Sequence, residues 1–329
     1  MFSKKSIPEA TLLVENTEGD FTYKKCKGDV DCDTPVPAAS ITKLFTSACI
    51  LILLERKELS LNKCVVEFFG ADKLSGIHVF KGVNYSASIT IADLLFQTSG
   101  LPDWFEEGDT GKQGIEKDFD FTFEDELIAT TRLQPHFPPH TKKKAFYSDV
   151  NFSLLGEILE RTMRMPLHEV YQELIMRPHG LMNTYLPSVQ NSFVPNIYYG
   201  HKLLHRPKFI TSCRASGGIV STTNDLMVFL KKFFGGQLFS QNMFRSLSHY
   251  RALQHKMGPI WYGGGYMQIP LDGVATLFTG KGELLGHSGT TGSFAFYYPQ
   301  KEMFFTGNLN QMAHPSYAIR LVMRLAMAA

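Results

Sequence analysis

The sequence predicts an α+β fold (an α/β sandwich): one antiparallel sheet built from both chain ends, flanked by helices, with a mostly helical inserted domain. Three observations carry this. Residues 260–310 alternate Gly, aromatic and β-branched types, and Phe294, Phe296 and Tyr298 follow a two-residue period. Two strand-like runs near the N-terminus need partners, and only that C-terminal block supplies them. Between them, apolar residues recur at helical spacing. The expected division is a discontinuous sheet domain, residues 1–60 and 215–329, and a helical domain, residues 61–214.

Taken in order, residues 11–15 and 21–26 flank the turn-rich stretch from Asn16 to Asp20 and predict a β-hairpin. Pro35 and Pro37 then hold the chain extended, and Leu44 to Leu54 predicts a buried helix. Ile89 to Phe96 reads as a helical block stopped by Gly100 and Pro102. Residues 103–140 read as loop, first acidic and then Pro-rich. Trp104 and Phe105 in this loop either wall a pocket or pack beneath it, packing being the default. Two helices follow, one with Leu154, Leu155, Ile158 and Leu159 on a face, the other with Leu167, Val170, Tyr171, Leu174 and Ile175 before Pro178. Ser221 to Asp225 caps a further helix bearing Leu226, Phe229, Leu230 and Phe233 and closed by Gly235. Strands are expected near 274–279, 292–298 and 303–308, and a last helix over 315–327. No internal repeat is present.

Composition excludes several classes. Among 329 residues, 33 Lys and Arg face 31 Asp and Glu, too even a balance for nucleic acid or an anionic membrane as partner. The run Lys142-Lys143-Lys144 reads as a solvated face. No stretch reaches the ~18 consecutive apolar residues of a membrane span. Lys4 and Lys5 precede Pro8 and Glu9 rather than an apolar run, so the sequence as it stands reads as cytoplasmic; it reads as secreted or envelope-bound if a signal has been removed. The five cysteines (Cys26, Cys32, Cys49, Cys64, Cys213) lack metal-type spacing. Scattered reduced thiols are the first expectation, with a Cys26–Cys32 bridge the alternative in an oxidising compartment. Oligomeric state is left open.

The chemistry gathers at Pro37-Ala38-Ala39-Ser40-Ile41-Thr42-Lys43. Ser40 and Lys43 lie one helical turn apart on one face, at or just inside the first turn. There the unpaired N–H groups and the helix dipole favour an alkoxide and disfavour a second positive charge. A lysine half-buried beside Ile41, Leu44 and Phe45 loses hydration too, so part of its population is expected to be neutral near pH 7, and a neutral amine within reach of a hydroxyl is a general base beside a nucleophile. Most Ser-x-x-Lys pairs are solvated helix starts. Two further stretches decide the matter: Tyr147-Ser148-Asp149-Val150-Asn151 ahead of a helix, and His287-Ser288-Gly289-Thr290-Thr291-Gly292 entering a strand.

These three elements, in this order, resemble those of the penicillin-recognising serine hydrolases, the serine β-lactamase-like and penicillin-binding protein group that spans class C β-lactamases, DD-peptidases and family VIII-type esterases. The resemblance covers nearly the whole chain, through Leu94 to Pro102, Leu154 to Ile158, Arg177 to Thr184 and Ser216 to Thr222. It implies a β-lactamase/transpeptidase-like fold with the active site in the cleft between the two domains. Ser40 would be the acylated nucleophile, and Lys43 and Tyr147 its proton-transfer partners, with either as the base. The N–H groups of Ser40 and Thr290 would form the oxyanion hole. Gly289 would let substrate lie against the strand edge, beside Ser288. Tyr262, in the glycine-rich stretch Tyr262 to Tyr266, would shape acyl selectivity together with Trp104, or else pack in the core. No cofactor and no metal are implied; the partner would be a small-molecule or peptide substrate.

Two positions depart from the family pattern. Asp149 stands where Asn is common, so it either accepts from substrate or caps the following helix. His287, which the resemblance places with Ser40, Lys43 and Tyr147 among the catalytic residues, replaces the lysine of Lys-Thr-Gly and, with a reference pKa near ~6.5, is mostly neutral at pH 7. Ester or amide hydrolysis then gains over efficient β-lactam hydrolysis. Two rivals stand beside this reading. His201-x-x-x-His205 and His136-x-x-x-His140 have zinc-type spacing, but Lys202 replaces the expected Glu and Pro138-Pro139 break the second. A sensor-like protein, acylated but slow to deacylate, would share every motif.

Overall fold

The N-terminal hairpin finds its partner at the far end of the chain. The computed structural model describes residues 2, 4–70, 72–141, 144–188, 193–254, 257–273, 276 and 279–329. Among these, eight strands form one antiparallel sheet: β1 (Ala10–Asn16), β2 (Thr22–Lys27), β3 (Arg251–Ala252), β4 (Trp261–Gly263), β5 (Tyr266–Pro270), β6 (Glu283–Ser288), β7 (Ser293–Tyr298) and β8 (Met303–Asn308). Their spatial order is β2-β1-β8-β7-β6-β5-β4-β3. Thr11 pairs with Asn308 and Asn16 with Met303, so both chain ends build one layer, as the sequence predicts. Of the strand expected near 274–279, residues 274, 275, 277 and 278 lie outside the described residues, as do Lys142 and Lys143 of the basic run; Lys144 is exposed.

Helix α1 (Thr42–Glu55) is buried at every position from Thr42 to Leu53. A helix apolar all round belongs between layers rather than on a surface. It packs against β5 and β6 on one side and the helical part of the chain on the other. Phe45 stacks on Phe229 at 3.8 Å between ring centres. That helical part contains α2 (Ile91–Leu95), α3 (Thr110–Glu116), α4 (Phe123–Thr131), α5 (Asp149–Met163) and α6 (Leu167–Tyr171), the last running on through a wider turn, Gln172–Met176. Helices α7 (Thr223–Phe234) and α8 (Ser316–Ala328) lie against the central strands β7 and β8.

The structure corrects the sequence reading in two places. Residues 103–140 hold α3 and α4, the latter begun by a capping box of Thr122 and Asp125. The helix before Gly100 ends earlier than expected, at Leu95, and Gln97 takes a left-handed turn (φ +58°). Cys26 and Cys32 carry free thiols, their sulfurs 4.0 Å apart. Among the described residues no helix is long and apolar enough to cross a membrane.

Candidate active site

Ser40 lies in a tight turn, Ala39–Ile41, that runs directly into α1. The residue before it, Ala39, is left-handed (φ +47°), a strained conformation for a residue with a Cβ. Two side-chain bonds hold this backbone: Thr291 Oγ1 donates to the Pro37 carbonyl (2.9 Å) and Ser293 Oγ to that of Ala38 (2.7 Å). The β6–β7 turn and the Ser40 turn are therefore fixed to one another. Gly289 N–H donates to Ser293 O at 2.8 Å and leaves Thr290, half-buried, on the cleft wall beside Ser40. The space a Cβ on Gly289 needs is taken by Ser293 Oγ at 2.2 Å and Ala38 O at 2.6 Å, so close packing of its own chain already demands glycine there. Ser288 and Gly289 line the cleft as well.

One turn along α1, Lys43 is fully buried. Its Nζ donates to Ser40 Oγ (3.2 Å) and to the Ser216 carbonyl (2.7 Å), and it meets Asp149 Oδ1 at 2.6 Å. The neutral amine argued from burial alone thus meets a counter-charge. Asp149 is the first residue of α5 and does not cap it; its own N–H donates to Asp103 Oδ1 at 3.1 Å. Neither sequence-level role for Asp149 includes this ion pair, because Lys43 lies far from it in the chain.

Tyr147 lines the cleft beside Ser40, and its ring lies 5.0 Å from Lys43 Nζ. Burial first, then the charge of Asp149, outweighs a hydrogen bond with Ser40 and pushes the phenol well above its ordinary value, so Tyr147 is a neutral donor. The segment bearing it is held by the turn after α2: Ser148 N–H donates to Gln97 Oε1 (3.0 Å), Ser148 Oγ to Pro102 O (2.8 Å) and Phe146 N–H to Gln97 O (2.8 Å). Gln254 adds a bond from the Tyr147 N–H, 3.0 Å.

His287 is fully buried, its Nδ1 2.8 Å from the Ser288 carbonyl and its ring 5.9 Å from that of Tyr147. Burial first, then the charge of Lys43, lowers it to about 3, so it is a neutral imidazole inside the wall. Tyr262 is fully buried against Tyr147 and His287, and Trp104 packs edge-on against Phe105 and Phe121. Neither is among the cleft-lining residues, whereas Phe105 is.

The cleft has two adjoining cavities sharing Ser40, Asp103, Glu106, Tyr147 and Thr290. The larger, about 300 Å³, extends toward Gln254, Met257, Ile260 and Ile319. The smaller, about 60 Å³, extends toward Phe105, Ile197, Phe209 and Met312. Asp103, Glu106 and Gln254 are site residues that motif reading passes over. Asp103 directly follows Leu101-Pro102, the end of a stretch that carries the family resemblance, and that adjacency is the one local signal for it.

Comparison with known proteins bears on the family and the fold. The family described as Beta-lactamase matches residues 12–327. A putative D-alanyl-D-alanine carboxypeptidase of Escherichia coli O157:H7 is 25% identical over 321 residues, covering 85% of this chain and 71% of that protein. The solved D-amino acid amidase of Ochrobactrum anthropi SV3 superimposes with a TM-score of 0.79 at 18% identity, covering 98% of this chain and 96% of its own. A D-stereospecific amidohydrolase from Streptomyces sp. gives 0.76 at 21% identity, covering 93% and 90%. At these identities the solved structures speak for the fold, an antiparallel sheet with helices on both sides. The family match spans nearly the full length, and the chain belongs to the Beta-lactamase family.

Proposed function

We propose that this chain is a serine hydrolase that works through a covalent acyl-enzyme on an ester or amide, with Ser40 as nucleophile and Lys43 and Tyr147 as the proton-transfer pair. The contact of Lys43 Nζ with Ser40 Oγ, 3.2 Å at the floor of an open cleft, carries this reading. The 2.6 Å separation of Lys43 and Asp149 lets the ammonium hand a proton to the carboxylate as Ser40 gives up its own. Ser40 Oγ bonds to the substrate carbonyl carbon while the N–H groups of Ser40 and Thr290 hold the developing oxyanion. Tyr147, a neutral phenol, protonates the departing amine or alkoxide and is reprotonated from Lys43, which recovers the proton left on Asp149. The serine proton thus leaves with the leaving group. Water then attacks the acyl carbon by the same route and frees Ser40.

A neutral, buried His287 offers no charge to a substrate carboxylate, which favours esters and amides over β-lactams. The test runs short-chain p-nitrophenyl esters, nitrocefin and a D-Ala-D-Ala peptide in parallel. Ester turnover above β-lactam turnover is expected, abolished in Ser40→Ala and lowered at least ~100-fold in Lys43→Ala, the scale of lost general-base assistance. Ester hydrolysis that survives Ser40→Ala refutes the proposal. A single burst of one equivalent replaces it with the slow-deacylating sensor.

A further inference from the structure

Cys26 and Cys32 meet across a turn at the edge of the sheet. Cys26 is exposed on β2, whereas Cys32, in the loop that follows, is only 6% exposed; their sulfurs are 4.0 Å apart. Both backbones are held. Cys26 pairs with Thr11 across β1 and β2. The Cys32 carbonyl accepts from the Asn224 N–H (3.0 Å) at the start of α7, and Asn224 Nδ2 donates to Asp33 Oδ1 (2.6 Å). Around Cys32 the Asp31 N–H donates to Thr34 Oγ1 (2.9 Å), and Thr34 Oγ1 donates to Asp31 Oδ1 (2.9 Å). Gly28 turns the chain left-handed (φ +82°), where a Cβ would lie 2.9 Å from the Pro8 carbonyl oxygen. The loop thus brings the two sulfurs together before any bond joins them. A disulfide needs them at ~2 Å, and rotation of the exposed Cys26 side chain about its first torsion moves its sulfur without breaking these backbone contacts.

We infer that Cys26 and Cys32 form a redox-active pair that takes a low-molecular-mass disulfide as its oxidant and closes reversibly into an intramolecular disulfide. Reduced thiols and a bridge are then two states of one site. Cys26, the accessible sulfur, attacks one sulfur of the external disulfide as a thiolate. A mixed disulfide forms, and the expelled thiolate takes up the proton that Cys26 gave to solvent. Burial first, then the charge of Cys26, raises the Cys32 thiol to about 12, so Cys32 holds its proton until then. Once Cys26 is capped, its charge no longer opposes loss of that proton. The Cys32 sulfur gives its proton to solvent, attacks Cys26 Sγ and expels the second external thiolate, which is protonated in turn. Two protein thiols are oxidised by two electrons, and the external disulfide is reduced to two thiols. Neither sulfur lines the cleft, so the inference stands apart from the proposed hydrolase.

The test exposes the full chain, reduced and then freed of reductant, to glutathione disulfide under native conditions. Intact mass and mapping of linked peptides read the result. The parent is expected to lose the mass of two hydrogen atoms through a link between residues 26 and 32, reversed by dithiothreitol. It is expected to retain at least ~10-fold less glutathione adduct than Cys32→Ser, because a sulfur held in place outcompetes a free thiol. In Cys26→Ser, residue 32 should take up no glutathione over the same period. An adduct that persists on the parent as it does on Cys32→Ser, first reaction at residue 32, a link between two chains, or an inert Cys26 overturns the inference. Should the buried Cys32→Ser variant fold poorly, peptide mapping of the parent alone decides, since the link and a persisting adduct are both read there.

Discussion

Lys43 has no exposed surface, and its amine lies between Asp149 and Ser40. Full burial of a lysine is costly, and Asp149 at 2.6 Å with the Ser216 carbonyl at 2.7 Å offsets that cost. Breaking such a pair from one side leaves a charge unbalanced. Asp149→Asn is expected to lower unfolding stability by up to about 3 kcal/mol, the low end for buried pairs because the Asp149 side chain is 14% exposed. The double variant Lys43→Met, Asp149→Asn should recover most of that loss in urea titrations, since it removes both charges together. A double variant no more stable than Asp149→Asn alone would show that the two charges are not coupled. Ser40 and Lys43 are readable as neighbours because helix geometry puts i and i+3 on one face. The Lys43–Asp149 pair is not, because no local rule links α1 to the start of α5.

The elements around the cleft are set by turns whose geometry few residues satisfy. Strands β4 and β5 join through Gly264 and Gly265, both left-handed, and a Cβ on Gly265 would lie 2.0 Å from Ser47 Oγ. Ser47 itself donates to the Gly265 carbonyl at 3.0 Å, so this hairpin rests directly on α1 one turn beyond Lys43. Gly265→Ala should therefore destabilise by at least about 1–2 kcal/mol from backbone strain alone, with the clash adding to it. Thermal unfolding measures the loss, and an unchanged melting temperature would mean that the hairpin can move off α1. The glycine-rich stretch is visible in the sequence, but its support of α1 is not. The reverse holds at α4: Thr122 and Asp125 spell out a helix start locally, and the acidic, aromatic composition around them hides it. Periodicity fails over elements this short because only one or two apolar residues of each face the core.

At the scale of the molecule, one buried imidazole ties stability to pH. The unfolded chain takes up a proton at His287 as pH falls through ~6.5, whereas the folded chain resists until about 3. Stability from this residue is thus present above the first value and is lost progressively between the two, by about 1.4 kcal/mol per pH unit at most. Melting temperature from pH 7 to 4 is expected to fall more gently in His287→Asn than in the parent. Equal slopes would mean that the imidazole is already protonated in the fold. Such a group sits in the wall between sheet and helices, where the two parts of the chain meet. The sequence by itself determined the sheet of both chain ends, the buried α1 and the convergence of Ser40 with Lys43, because strand alternation, helical spacing and motif order are properties of neighbours along the chain. Only the tertiary structure decided that Asp149 faces Lys43, that His287 is sealed in the wall and that Asp103 and Glu106 line the cleft. Burial and counter-charge are created by segments that meet only when the chain has folded.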